Sequence, residues 1–177
     1  AGDALQTKAF EILAASQTHA DANVRIDLIS AFAEASGAAG MVGGQMIDME
    51  GEGRALPLAE VRHLHALKTG CLIRYSAESG AILGQASPDL RRRLRSYGAN
   101  IGAAFQIADD VLDATATAEE LGKTAGKDEA SGKSTFVALL GIEGARAEAL
   151  RITEEAIADL EPFGAQAGLL YTSPDPR

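Results

Sequence analysis

The stretch Ser87-Pro88-Asp89-Leu90-Arg91-Arg92-Arg93-Leu94-Arg95-Ser96-Tyr97-Gly98-Ala99-Asn100-Ile101-Gly102-Ala103-Ala104-Phe105-Gln106-Ile107-Ala108-Asp109-Asp110-Val111-Leu112-Asp113 decides the fold. Serine followed by proline marks a helix start, a capping hydroxyl and then a residue whose missing N–H is not needed in the first turn. From there Leu90, Leu94, Tyr97, Ile101, Phe105, Ala108 and Leu112 recur at steps of three and four, the spacing of one helix face. The spacing predicts a long helix with that stripe buried along its length. Beside the stripe, at about 100° per residue, Gln106, Asp109, Asp110 and Asp113 fall within an arc of roughly 100°. Carboxylates at i and i+4 repel each other, and Asp is a mediocre helix former, so a compensating charge is expected. A hard divalent cation such as Mg²⁺ supplies it, because it takes carboxylate oxygen and keeps positions for water or phosphate oxygens. A solvated acidic face is the plainer alternative. The cation is preferred because these carboxylates border the core instead of opposing it.

Outward from this helix the chain reads as helix almost throughout. Alanine is abundant, aromatics are 5% and Trp is absent, and few stretches alternate with the period of a strand. Helices are predicted over about Asp3 to Gln17 and Asp21 to Ser36, both facing a core, the second ended by Gly37. A third runs from about Ala38 to Met49 and carries Gly40, Gly43 and Gly44, which points to close helix packing. A long one follows from Leu58 to about Leu83. After Asp113 the pattern breaks over Thr115 to Lys133, with a short helix at Ala118 to Leu121, then returns over Ser134 to Leu140 and Ile142 to Leu160. Leu169 to Arg177 reads as a frayed tail.

The composition bounds the function classes. With 177 residues, 46% hydrophobic and 23% charged, the chain is globular and long enough to bury a core as one domain. A net charge of -9 disfavours broad binding to a phosphate backbone, so nucleic acid is not an expected partner. A lone cysteine, Cys71, fits a reducing, cytoplasmic setting, and no apolar run reaches the roughly 20 residues of a membrane span. The chain opens Ala1-Gly2-Asp3 with no Met and is helical almost at once, so a segment upstream is expected.

Further residues carry candidate chemistry. The break at 115 to 133 holds Gly122, Gly126 and Gly132 interleaved with Lys123, Lys127 and Lys133, donors suited to an anionic phosphate. Gly132-Lys133-Ser134 imitates the end of a P-loop. However, Gly126 to Gly132 encloses five residues where that motif needs four, and a helix precedes it, not a strand. Lys68 interrupts an apolar row of Val61, Leu64 and Tyr75, either reaching solvent or aimed into a cavity. Gln45 continues the line of Met41, Val42 and Met49 with Asp48 three residues on, a polar intrusion among core positions. His63 and His65 diverge on a helix and, with His19, read as structural.

Gly43-Gly44-Gln45-Met46-Ile47-Asp48, Leu67-Lys68-Thr69-Gly70, Phe105-Gln106-Ile107-Ala108-Asp109-Asp110-Val111-Leu112-Asp113, Leu121-Gly122-Lys123, Lys127-Asp128 and Gly132-Lys133-Ser134-Thr135 together resemble the short-chain trans-isoprenyl diphosphate synthases of the polyprenyl synthetase family. The bacterial farnesyl diphosphate synthases are the most similar group, and the resemblance covers roughly Ala1 to Gln166. It implies the all-α isoprenoid synthase fold, helices around a central cavity, with 1–177 as the C-terminal portion of one domain and commonly a homodimer. It implies that Asp109, Asp110 and Asp113 bind Mg²⁺, that Lys68, Lys123 and Lys133 contact diphosphate, and that Thr69 and Gln106 lie near the reacting allylic carbon. Gln45 joins them as a substrate-binding candidate. The activity implied is head-to-tail condensation of an allylic diphosphate, dimethylallyl or geranyl, with isopentenyl diphosphate. The alternatives are a non-catalytic truncated homologue serving as a partner subunit and a terpene cyclase of the same fold. The family's first aspartate-rich motif lies upstream of Ala1, so the chain by itself is expected to be inactive and to expose apolar surface from Ile101, Phe105 and Leu112.

Overall fold

The computed structural model describes residues 1–115 and 134–171, and among them there is helix and no strand. In order come α1 (Gly2–Ala14), α2 (Ala22–Ser36), α3 (Met41–Gly51), α4 (Leu58–His65), a π-helical turn (Ala66–Gly70), α5 (Cys71–Leu83), α6 (Pro88–Thr115) and α7 (Phe136–Asp159). A 3₁₀ segment, Glu161–Ala167, and a short helix α8 (Gly168–Tyr171) follow. The lysine-bearing segment with Lys123, Lys127 and Lys133, and with it the short helix predicted at 118 to 121, lies outside the described residues.

Local signals explain the boundaries. The Asp21 carboxylate accepts the Asn23 N–H at 2.8 Å and starts α2, and Gly37 donates back to the Ala33 carbonyl at its end. Ser87 accepts the Leu90 N–H to open α6, and Thr135 accepts from Ala138 to open α7. Inside α7, Gly141 stands at φ 71°, which only glycine adopts without strain, so the chain breaks between the two predicted helical stretches. Gln85 has φ 47° just beyond the end of α5. Its Gln85→Gly variant should gain about 1 kcal/mol, measured as a higher urea midpoint.

Helix α6 is the axis of the molecule, with α5 against one side and α7 against the other. On the side of α5 and the π turn the contact is made by small residues: a Cβ on Gly98 would lie 2.7 Å from the Arg74 Cα of α5, and one on Gly102 3.0 Å from the Gly70 Cα of the π turn. On the α7 side, Ala104, Ile107 and Val111 join Val61, Leu64, Phe136, Ala145 and Ile152 in the main core. The stripe is thus not buried along its length, whereas the exposure expected of Phe105 and Leu112 is met. Tyr97 is buried and Ile101 half-buried, but Phe105 and Leu112 are 56% and 55% exposed and Ala108 is exposed. The apolar period was right for a helix. Which arc is covered was set by the small residues facing α5 and by α7, neither of which a count of large side chains reveals.

Helix α1 buries no residue and packs on α2 through Phe10 and Phe32, whose rings lie 5.2 Å apart, so it is not the core helix expected. The start of the predicted tail is also tied down, since the Tyr97 hydroxyl donates to the Leu170 carbonyl at 2.8 Å. Arg62 and Arg151 both reach Glu148, at 2.8 Å each. Hydrogen bonds from Arg151 and then Arg62 hold the Glu148 carboxyl at about 2, against its usual 4.5. A depressed carboxylate stabilises the fold fully above its unfolded value and loses that contribution as pH falls through the folded one. Stability should therefore decline between pH 4.5 and about 2, and Glu148→Gln should flatten that decline in unfolding titrations run across the same range.

Candidate active site

Between α3, α4, the π turn and α6 lies a cavity of about 250 Å³. Its walls combine apolar Leu56, Val61 and Leu64 with Asp48, Glu52, His65, Lys68, Thr69, Gln106, Asp109, Asp110, Ser134 and Thr135.

The π turn sets one wall. A π turn widens the helix by one residue and frees backbone groups from the α ladder, and here it places Lys68 and Thr69 on the cavity. It stays in place because α3 presses against it: a Cβ on Gly44 would lie 2.3 Å from the Lys68 backbone N. Lys68 does not run out to solvent. Its Nζ lies 2.6 Å from the Asp48 Oδ2, with a third of the side chain exposed. The polar line foreseen on α3 thus splits. Asp48 faces the cavity, whereas Gln45 is turned to solvent and is not among its walls. Val42 and Met49, 44% and 58% exposed, share that outer face, because the contact with the π turn runs through Gly44 and not through the large side chains.

Helix α6 sets the opposite wall. Gln106 accepts from the Thr69 hydroxyl at 3.2 Å and donates its amide to the Asp110 Oδ1 at 3.3 Å. Asp109 is exposed and lines the cavity, while Asp110 is 6% exposed and its Oδ2 accepts the Phe136 N–H at 2.8 Å. Asp113 is half-buried, one turn beyond Asp109. Among the described residues no three His, Cys, Asp or Glu side chains form a group that could hold a metal ion. Lys123 and Lys133 lie outside the described residues.

Three roles were not foreseen. Ser134 accepts the Leu56 N–H at 2.8 Å and donates to the Arg54 carbonyl, tying the start of α7 to the loop before α4. The Phe136 amide anchors Asp110. His65, read as structural, is a wall of the cavity and packs at a tilt against Phe136, with 5.5 Å between ring centres. No sequence period brings residues 56, 65 and 134 together, so only the tertiary fold could show them.

The described residues, which hold helix and no strand, bring a lysine, a threonine, a glutamine and an aspartate onto one cavity, and comparison with known proteins identifies the class. The family model for polyprenyl synthetase matches residues 1–168. The farnesyl diphosphate synthase of Escherichia coli is 43% identical over 172 residues, 94% of this chain and 56% of that protein. An FPP/GFPP synthase of Zymomonas mobilis superposes with a TM-score of 0.83 at 45% identity, covering 96% of this chain and 56% of that one. The geranyltransferase of Helicobacter pylori, in a structure with magnesium and isoprenyl diphosphate, gives 0.81 at 34% identity, covering 96% and 55%. The chain belongs to the polyprenyl synthetase family and has its all-α isoprenoid synthase fold. It spans about half the length of the curated relatives it matches.

Proposed function

We propose that the chain forms one wall of the active site of a trans-prenyltransferase, which joins an allylic diphosphate, dimethylallyl or geranyl, head to tail with isopentenyl diphosphate and releases pyrophosphate. The observation that carries this is the pairing, across one cavity, of the Lys68-Thr69 turn with Gln106 and Asp109. Lys68 supplies an ammonium to diphosphate oxygens, in competition with Asp48. Thr69 and Gln106 present hydroxyl and carbonyl dipoles toward the allylic carbon as its bond to oxygen breaks and positive charge develops there. Isopentenyl diphosphate then adds to that carbon and loses a proton. Lys123 and Lys133 are proposed as further diphosphate contacts.

The donor chemistry fits a hard cation. Asp109 and Asp113 offer carboxylate oxygen at i and i+4 on one helix face, and Mg²⁺ needs only one or two carboxylates beside substrate phosphates. When bound, Mg²⁺ acts as a Lewis acid on the leaving pyrophosphate. The reading includes a homodimer and a cytoplasmic setting. Among the described residues no helix is long and apolar enough to cross a membrane.

Calorimetry with Mg²⁺ and inorganic pyrophosphate tests the site. Mg²⁺ should bind weakly alone and more tightly with pyrophosphate, and Asp109→Ala should weaken that binding by about tenfold or more, the worth of one charged contact. Unchanged binding in Asp109→Ala would remove this carboxylate from the site.

A further inference from the structure

We infer that Asp110 is a positioning residue for Thr69 and not a ligand of the metal, an inference that rests on reading the cavity as a prenyl diphosphate site. Both Asp110 oxygens serve the protein itself: Oδ2 accepts the Phe136 N–H at 2.8 Å and Oδ1 accepts from the Gln106 amide at 3.3 Å. Its side chain is buried between α6 and α7 in the cavity wall, whereas its neighbour Asp109 is exposed on the same cavity.

The consequence runs along a chain of hydrogen bonds with a fixed direction. A carboxylate has no proton to donate, so the Gln106 amide must turn its NH₂ toward Asp110. That leaves the amide oxygen facing Thr69, 3.2 Å away, and the Thr69 hydroxyl must spend its proton on it. The Thr69 oxygen then shows only lone pairs to the cavity. A hydroxyl free to rotate could instead aim its proton there, placing the positive end of its dipole where the allylic carbon becomes cationic. Asp110, two links removed, sets the sign of the dipole that the reaction meets. The same carboxylate fixes Phe136, the first residue of α7. The second of two adjacent aspartates thus orients the site, and cation binding is left to Asp109 and Asp113.

NMR on the 177-residue chain, with Mg²⁺ and inorganic pyrophosphate as the probe, separates the two roles. On addition of the probe, the carboxylate ¹³C signal of Asp109 should move and that of Asp110 should stay. An Asp110 signal that titrates with the metal overturns the inference. If neither signal moves, the metal reading of the site fails, and the hydrogen-bond chain is judged by exchange alone. There, the Gln106 side-chain amide should exchange with solvent about tenfold more slowly than that of exposed Gln45, the protection one hydrogen bond gives. In Asp110→Asn a single acceptor oxygen faces two donors. Either the Gln106 NH₂ or the Phe136 N–H should then lose about tenfold in protection. Full protection of both in that variant overturns the proposal. Should Asp110→Asn not fold, equal exchange of Gln106 and Gln45 in the native chain does so.

Discussion

Exchanging Arg91 for methionine is expected to lower the folding free energy by about 3 kcal/mol, whereas Glu78→Gln should lower it by only about 1 kcal/mol. The asymmetry follows from which partner is buried. Glu78 on α5 is 3% exposed, and Arg91 and Arg95 of α6 reach it at 2.9 and 3.3 Å. Arg91 also holds Asp27 of α2, at 2.5 Å, and Arg95 approaches Glu34 at 3.5 Å. Neutralising Glu78 therefore leaves two partly exposed arginines that still have partners. Removing Arg91 leaves a buried carboxylate with one long contact, and Asp27 loses its partner as well. The Arg91→Met/Glu78→Gln double variant should cost less than the sum of the two, since the second change removes the charge that the first exposed. Urea unfolding of the three variants measures this. Equal costs for the two single changes would show that burial of Glu78 is not what the network resolves.

That network was invisible in the sequence for a reason that separates the legible from the illegible. Residues 27, 34, 78, 91 and 95 sit on three helices, and each alone reads as an ordinary solvated charge. What could be read was local. The cap at Ser87, the stop at Gly37 and the break at Gly141 each depend on neighbours within a turn, and all three stand where the pattern placed them. The site motifs were legible as residue types, and Lys68, Thr69, Gln106 and Asp109 do meet on one cavity. Direction was not legible. Gln45 shares the period of its neighbours but faces water, and Asp110 points inward while Asp109 points out. A helix of given period has no preferred side until something packs on it. Here the packing against the π turn and α5 runs through Gly44, Gly98 and Gly102, residues without a side chain to count.

Gly44→Ala should then be among the most damaging single changes in the chain, at about 3 kcal/mol, the upper end for overpacking. An added Cβ would lie 2.3 Å from the Lys68 N, 2.6 Å from the Lys68 Cα and 2.9 Å from the Leu67 carbonyl carbon. All three atoms are backbone, so no side-chain rotation relieves the contact, and α3 must move off the π turn. Moving it separates Asp48 from Lys68, whose 2.6 Å contact spans those two elements. It also shifts the backbone that carries Thr69 toward Gln106. Loss of stability and loss of pyrophosphate affinity should therefore appear together, because one packing contact supports both. Gly80→Ala is the control. A Cβ there meets nothing within 4 Å, and on α5 alanine is the better helix former, so that variant should gain about 1 kcal/mol. Urea midpoints and pyrophosphate titrations of the two variants decide. If Gly44→Ala unfolds no more easily than Gly80→Ala, the close backbone contact at Gly44 is not what holds the π turn.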